Sequence, residues 1–211
     1  NKKVLITAGP TYEAIDPVRF IGNHSSGKMG FELANAAANL GAEVILITGP
    51  TKESISNSQV KVIPITSAED MYKAAHDYYE TVDVAICAAA VADYKPKNVA
   101  TQKIKKKETT FTVELEKTKD ILASLGASKK HQFLIGFALE TNNEIENAKG
   151  KLKRKNLDLI VLNSLQDKGA GFGKPTNKIT IIDKDDTLTS FDLKSKKEVA
   201  NDIVDYLLNK I

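Results

Sequence analysis

An almost unbroken apolar run occupies the middle of the chain: Val82-Asp-Val-Ala-Ile-Cys-Ala-Ala-Ala90. Runs of this kind are typical of a parallel strand whose two faces are both covered by helices. Further buried-strand patterns lie at residues 4–7, 42–48, 133–138 and 157–163, with helical patterns between them. This alternation predicts an α/β fold on a doubly wound, mostly parallel sheet.

Several residues mark where these elements end. Gly41 stands where a helix C-terminal glycine belongs, and Ser67 with Asp70 forms a capping-box pattern at the start of a helix. Pro64 favours an edge position for the strand pattern at residues 60–65. Two patterns at residues 177–183 and 187–191 predict a hairpin. We also expect a helix at residues 142–155 and a last helix at residues 194–211.

Composition limits the classes of protein to consider. The 211 residues suffice for one large α/β domain or two small ones, and the lack of a low-complexity linker favours one domain over residues 1–211. A net charge of +3 is too small to indicate nucleic-acid binding. No apolar run is long enough for a membrane span. The single cysteine, Cys87, excludes an internal disulfide and fits the reducing cytoplasm.

A polar, glycine-rich segment follows the first strand pattern: Asp16-Pro-Val-Arg-Phe-Ile-Gly-Asn-His-Ser-Ser-Gly-Lys-Met-Gly30. We expect a long loop here that leads into a helix, and such a junction is a natural anion site. Residues 22–28 match much of the phosphate-loop pattern. Met29 replaces the hydroxyl residue that would bind Mg²⁺, so a phosphate-loop nucleotidase is disfavoured.

The alternation breaks between residues 93 and 117. Residues 103–107 and 110–115 alternate like two short exposed strands, which predicts a flap or hairpin over residues 95–116. Lys103, Lys105 and Lys107 would share one side of the first of these strands and could bind phosphate. Lys151 and Lys155, spaced i, i+4 on a helix, form a second basic pair, and two such groups suit a triphosphate.

Two features invite a dehydrogenase interpretation and are insufficient for it. Gly9 follows the first strand, but the G-x-G-x-x-G pattern is absent. Tyr206 and Lys210 have the Y-x-x-x-K spacing of short-chain dehydrogenases, yet they lie on the last helix, far from the central strand. We expect Tyr206 to pack and Lys210 to be solvated.

Four separate motifs resemble those of bacterial phosphopantothenate–cysteine ligases. They are residues 16–30, Ala88-Ala-Ala-Val-Ala-Asp-Tyr94, Lys103-Ile-Lys-Lys106 and Gly136-Phe-Ala-Leu-Glu-Thr-Asn142. The resemblance covers essentially the whole chain in order. It implies a Rossmann-like fold and a CTP-dependent carbon–nitrogen ligase of coenzyme A biosynthesis. In this reaction, 4′-phosphopantothenate becomes an acyl-cytidylate with release of pyrophosphate, and the amine of L-cysteine then displaces CMP.

The resemblance also implies roles for individual residues. It implies Asn23 and Lys103 as catalytic residues, Lys103 being on the flap that closes over phosphates. Substrate-binding positions would be Arg19, Asn23, Lys28 and Ala89. Nucleotide-binding positions would be Gly9, Ala90, Asp93, Lys103, Lys119, Asp120, Ile121, Leu122, Phe137, Lys151 and Lys155. Lys119 stands where we expect the family's proline, which puts the rigidity of that turn in question.

Cofactors and partners follow from the same resemblance. It implies Mg²⁺, with Asp93 as a metal-associated carboxylate, and a homodimer. The unit is often the C-terminal half of a bifunctional protein whose other half is a flavin-dependent decarboxylase. FMN is expected only if that half is attached. The start at Asn1, without an initiator methionine, is compatible with an excised half.

Two other functions remain to be weighed against the ligase. One is an NAD(P)-dependent oxidoreductase on a Rossmann-type domain, which would need a glycine fingerprint after Thr7. The other is a nucleotide-binding module without catalytic activity. Asn23 argues against the second, because simple binding has little use for an amide in so elaborate a loop.

Overall fold

The computed structural model describes residues 2–106, 109–140, 142–164 and 174–211. Its strands, in chain order, are β1 (Lys3–Ala8), β2 (Tyr12–Ala14), β3 (Phe20–Gly22), β4 (Glu43–Thr48), β5 (Val60–Pro64), β6 (Val84–Cys87), β7 (Tyr94–Pro96), β8 (Leu115–Lys117), β9 (Phe133–Glu140), β10 (Leu159–Ser164), β11 (Thr176–Asn177), β12 (Ile179–Asp183), β13 (Leu188–Ser190) and β14 (Lys194–Ser195). Its helices are α1 (Lys28–Asn39), α2 (Ala68–Tyr79), α3 (Ile121–Ser128), α4 (Glu144–Arg154) and α5 (Lys196–Leu208). Within these ranges, no helix combines the length and apolarity that crossing a membrane requires.

Eight strands form the central sheet, in the order β13-β12-β10-β9-β6-β1-β4-β5. The pairs from β10 to β5 are parallel, and β12 and β13 extend the sheet antiparallel. The apolar run at residues 82–90 contributes β6, which lies between β9 and β1. The doubly wound, mostly parallel sheet expected from the sequence is confirmed.

Helices cover both faces of this sheet. Neighbouring residues of a strand point to opposite faces, so Ile6 packs with Leu33 of α1 and Ile203 of α5. Leu5 packs on the other face with α2, α3 and α4. The core therefore has two layers of side chains, one on each side of the sheet.

The local end signals agree with the structure in most places. Ser67 and Asp70 form the capping box of α2, and Gly41 has a φ of 85°. Pro64 ends the edge strand β5, and β12 pairs with β13 as a hairpin. The last helix begins at Lys196 instead of residue 194, because Ser195 caps it and its side chain accepts a bond from the Glu198 N–H.

The segment expected as one long loop contains a small hairpin. Strands β2 and β3 pair antiparallel between β1 and α1. The turn between them is organised by Asp16, whose Oδ1 accepts bonds from the backbone N–H groups of Val18 (2.8 Å) and Arg19 (2.9 Å). A side chain that satisfies backbone donors in this way makes a tight turn, which strand periodicity does not predict.

The predicted flap strands are wrong in position. Residues 103–106 form no strand, and the antiparallel pair lies at the base of the insertion, between β7 and β8. The Ile104 N–H donates to Asp16 Oδ2 (3.1 Å), so this backbone group bonds a side chain instead of a neighbouring strand. Lys107, which was expected on the same side as Lys103 and Lys105, lies outside the described residues.

Tyr206 and Lys210 meet at a buried carboxylate. Lys210 Nζ donates to Asp183 Oδ2 (2.8 Å), and the Tyr206 hydroxyl approaches the same oxygen (3.4 Å). Lys210 is therefore ion-paired and not simply solvated. Burial alone would raise the pKa of Asp183, but Lys210 and two backbone N–H groups lower it to about 2. This structural role accounts for the Y-x-x-x-K spacing without a dehydrogenase.

Candidate functional site: a cleft at the carboxyl ends of the parallel strands

A cleft of about 710 Å³ opens where β1, β6, β9 and β10 end. Ligands of open α/β sheets bind at this edge, where the connections leave neighbouring strands in opposite directions. The α1 and α5 side forms one wall, and α3 and α4 form the other. The predicted positions that line it are Asn23, Lys28, Ala89, Ala90, Asp93, Lys119, Asp120, Ile121, Leu122, Phe137, Lys151 and Lys155.

Backbone pairing continues past the ends of β1 and β6. The Ala90 N–H donates to Gly9 O (2.9 Å), and the Thr11 N–H donates to Ala90 O (3.3 Å). Asn23 joins this junction, because its Nδ2 donates to Ala90 O (2.9 Å) and Val91 O (3.3 Å). Both partners are carbonyl oxygens, which only accept, so the amide orientation is fixed. The Oδ1 of Asn23 is left as an acceptor for other partners.

The N-terminus of α1 lies against the end of β1. A Cβ at Gly30 would be 2.4 Å from the Cβ of Ala8, so only glycine allows this close approach. Gly27, the N-cap residue, has a φ of 84° and supplies no side-chain cap to the helix. The first turn carries no acidic residue. Its backbone N–H groups and the helix dipole therefore suit an anion at the cleft.

The opposite wall carries two lysines with fixed positions. Lys155 Nζ pairs with Asp120 (2.7 Å), the N-cap residue of α3, and Lys151 Nζ donates to Phe137 O (2.7 Å). Burial and then the charge of Lys155 lower the pKa of Lys151. Burial would raise the pKa of Asp120, but the Lys155 ammonium holds it below its usual value. Two positive groups facing one space favour an anionic ligand with several charges.

Lys119 has a defined role in the turn before α3. Its Nζ pairs with Glu69 of α2 (2.9 Å) and lies 4.6 Å from the centre of the Tyr72 ring. The turn is also held by Thr118, whose Oγ1 donates to Ala92 O (2.6 Å). These contacts constrain the turn at the position where a proline was expected, so rigidity does not depend on a proline here.

Three predicted site residues lie outside the cleft lining: Gly9, Arg19 and Lys103. Gly9 supports the cleft through its carbonyl bond with Ala90. Lys103 is exposed on the insertion. Arg19 is held by Asp16 through its Nε (3.1 Å) and its terminal nitrogen, and that nitrogen also donates to Ile104 O (2.9 Å).

Asp16 therefore joins the β2–β3 hairpin to the insertion. Its carboxylate is 2% exposed and accepts bonds from the hairpin turn, from Arg19 and from Ile104. A second link is the bond from the Ala100 N–H to Ile15 O (3.0 Å). The Arg19 guanidinium, together with the Ile104, Val18 and Arg19 N–H groups, holds the pKa of Asp16 far below its usual range. Ile104, the residue next to Lys103, is thus held by the charged carboxylate of Asp16.

The sequence interpretation missed several polar residues of the cleft: Thr7, Asn163, Asn177 and Lys196. Asn163 was placed on a strand, but without a role. Lys196 was placed within the last helix. The signal for Lys196 is the Ser195–Glu198 capping box, which fixes the helix start. That signal does not tell which sheet edge the helix start faces.

Comparison with known proteins gives a consistent family. The family described as DNA/pantothenate metabolism flavoprotein C-terminal domain matches residues 1–211. A protein named Cysteine/Cysteine sulfinic acid decarboxylase, from an unknown prokaryotic organism, is 53% identical over all of this chain and 59% of its own length. The Coenzyme A biosynthesis bifunctional protein CoaBC of Bacillus subtilis (strain 168) is 49% identical over 97% of this chain and 50% of its own length.

A solved structure has the same fold. The crystal structure of the C-terminal domain of Coenzyme A biosynthesis bifunctional protein CoaBC superposes with a TM-score of 0.83 at 45% identity, and it covers 98% of this chain and 94% of that one. The chain thus spans between half and three-fifths of the length of these two curated relatives and nearly all of the solved domain.

The tether at Asp16 yields a testable prediction. Asp16→Asn removes the charge that Arg19 and Ile104 bind, so we expect the thermal midpoint to fall by several degrees. Amide hydrogen exchange should accelerate in residues 97–106 more than in the central sheet.

The matched control is Asp77→Asn, which changes an exposed carboxylate on α2. It should leave both measurements unchanged. Unaltered exchange at residues 97–106 in Asp16→Asn would contradict the tether.

Proposed function

The chain belongs to the DNA/pantothenate metabolism flavoprotein C-terminal domain family, and on this premise we propose that it ligates 4′-phosphopantothenate to L-cysteine with CTP. The observation that carries the proposal is the cleft with Asn23 between two cationic walls. Lys151 and Lys155 lie on one wall, and Lys28, at the start of α1, lies on the other. This arrangement suits two phosphorylated substrates that must meet at one point.

The first chemical step is activation of the carboxylate. A carboxylate oxygen of phosphopantothenate attacks the α-phosphorus of CTP, and the bond from that phosphorus to pyrophosphate breaks. The product is an acyl-cytidylate. Charge on the phosphate oxygens has to be stabilised while this happens, and lysines together with backbone N–H groups are suited to it. We assign Lys151 and Lys155, with Asp120, Ile121, Leu122 and the backbone at Phe137, to the nucleotide.

The second step forms the amide. The cysteine amine attacks the acyl carbon, the carbon–oxygen bond to CMP breaks, and the amine loses a proton. The carbonyls of Ala90 and Val91 occupy the Nδ2 of Asn23. We therefore assign its Oδ1 to accept a bond from the attacking amine. An amine oriented by a fixed acceptor gains from proximity to the acyl carbon.

Mg²⁺ is proposed to accompany the nucleotide. Asp93, in the cleft lining, is the carboxylate that would hold it. Within the described ranges no group of three or more His, Cys, Asp or Glu residues could form a metal site. Mg²⁺ commonly binds through one or two carboxylates together with phosphates and water, so a single carboxylate near a triphosphate fits this ion. Its chemistry there is to neutralise phosphate charge.

A homodimer is proposed from the exposed apolar residues of the two small hairpins. Val18, Phe20, Tyr94 and Leu115 are between 44% and 59% exposed, and β2 packs near β7. Exposed apolar side chains on neighbouring hairpins are suited to an interaction surface. We also propose a cytoplasmic location and, in the longer protein, a flavin-dependent decarboxylase half that would bring FMN.

Three competing functions fit less well. The decarboxylase name belongs to a protein of which this chain covers 59%, so we do not transfer that activity to this part. An NAD(P)-dependent oxidoreductase lacks its glycine fingerprint, and Tyr206 and Lys210 bind Asp183. A binding module without catalysis leaves the fixed amide of Asn23 unexplained.

The direct test is pyrophosphate release from CTP. We expect release that requires phosphopantothenate and Mg²⁺, and amide product only when cysteine is added. EDTA should abolish the release, and excess Mg²⁺ should restore it. If pyrophosphate forms under none of these conditions, the ligase proposal is wrong.

Asn23→Ala separates the two steps. Without the Oδ1 acceptor we expect amide formation to slow by about 10²-fold or more, while acyl-cytidylate still forms. Single-turnover measurements of intermediate and product would check this. His24→Ala, at an exposed neighbour outside the cleft lining, is the control. An equal loss in both steps would contradict the role given to Asn23.

A substitution at Lys103 tests the proposed role of the flap. We propose that the insertion closes on bound nucleotide and brings this exposed lysine to the phosphates. Lys103→Gln should therefore reduce the rate of acyl-cytidylate formation by about 10-fold or more and leave the thermal midpoint unchanged. Lys52→Gln, an exposed lysine elsewhere, should do neither. Normal turnover of Lys103→Gln would remove Lys103 from the mechanism.

A further inference from the structure

Lys196 is a buried lysine in the cleft lining. Only 6% of the residue is exposed, although lysine is among the residues least often buried. It is the first residue of α5, and its backbone N–H donates to Pro175 O (3.0 Å). The Ser195–Glu198 capping box fixes the same turn. The backbone position of Lys196 at the start of α5 is therefore set by the fold.

The surroundings of Lys196 are polar and positively charged. Lys28, at the start of α1, is near enough that its charge, after burial, lowers the pKa of Lys196, and Glu53 acts in the opposite direction. Asn163 and Asn177 line the same end of the cleft and bond each other, Nδ2 to Oδ1, at 3.2 Å. Two ammonium groups, two amides and the first turn of α1 thus border one end of the cavity.

We propose that Lys196 and Lys28 form a phosphate-binding subsite on the α1–α5 wall, across the cleft from Lys151 and Lys155. The chemical class of the ligand is a phosphate, either the polyphosphate part of the nucleotide or the phosphate ester of the acyl substrate. This inference rests on the proposed function for the identity of those two compounds. The subsite itself is argued from the placement of the lysines in the cavity.

Energetics support a binding role. Burying an ammonium group removes it from water, and hydrogen bonds or an opposite charge have to compensate for the lost hydration. A bound phosphate would return strong, charge-assisted hydrogen bonds to both lysines. We therefore expect Lys196→Met to weaken phosphate binding, whatever its effect on the thermal midpoint of the free protein. A purely structural lysine would change the midpoint of the free protein and leave the ligand-induced shift unaltered.

The test measures ligand-induced shifts of the thermal midpoint in the full chain. The four probes are inorganic pyrophosphate, inorganic phosphate, CTP and 4′-phosphopantothenate. At a hundredfold excess over its dissociation constant, a ligand should raise the midpoint of the wild type by on the order of 5 °C. Lys196→Met should raise the dissociation constant of the bound phosphate compound by about tenfold to a hundredfold.

Two further variants serve as references. Lys197→Met alters the adjacent exposed lysine and should behave as the wild type. Lys196→Arg keeps the charge and should retain most of the ligand-induced shift.

The pattern across the probes identifies the ligand. If Lys196→Met loses only the midpoint shifts caused by pyrophosphate and CTP, the subsite binds the nucleotide. If it loses only the shift caused by phosphopantothenate, the subsite binds the phosphate ester. Equal shifts in the wild type and Lys196→Met for all four probes would overturn the inference, and so would a wild type that none of them stabilises. Phosphate binding through Lys196 without any CTP-dependent pyrophosphate release would overturn the ligase proposal and leave the subsite standing.

Discussion

The parallel pairing between β1 and β6 continues past the ends of both strands, and the cleft depends on this junction. Gly9, Thr11 and Ala90 exchange backbone bonds there, so the two chains are still joined where their connections diverge. Because Ala90 also accepts a bond from Asn23, the same few atoms that close the sheet edge orient the amide. Unpaired backbone groups would be costly here, and the junction both satisfies them and fixes the orientation of the Asn23 amide.

The helices that carry the charged residues of the cleft also position those residues. Lys155 is held by the N-cap carboxylate of α3, and Lys151 is held by a strand carbonyl, so these ammonium groups are positioned before any ligand arrives. On the facing wall, Gly30 lets α1 approach β1 closely, and α5 packs beside α1. Preorganised charges of this kind need little rearrangement when a phosphate binds, which is an advantage for phosphoryl chemistry.

Sequence patterns predicted the sheet and the helices, but they did not predict the structure of the connections between them. Apolar runs such as residues 82–90 identify buried strands, because burial on both faces leaves little choice of residue. The β2–β3 hairpin and the insertion were harder to predict, because Asp16 bonds a backbone group as distant as Ile104. That bond takes the place of the strand pairing that the alternating pattern had suggested. The predicted site residues that line the cleft came from the motif resemblance. Lys196 was missed because its location depends on how α5 packs against α1.

The order of the elements along the chain also affects how the site is assembled. Asn23 and Lys28 are synthesised early, the α3–α4 wall follows, and Lys196 comes only with α5, the last of the described helices. During synthesis the chain therefore makes every strand of the central sheet before it supplies α5, the second helix of the α1–α5 wall. A nascent chain therefore carries Lys28 on this wall but lacks Lys196 until α5 docks, so the cationic pair is completed as one of the final events of folding.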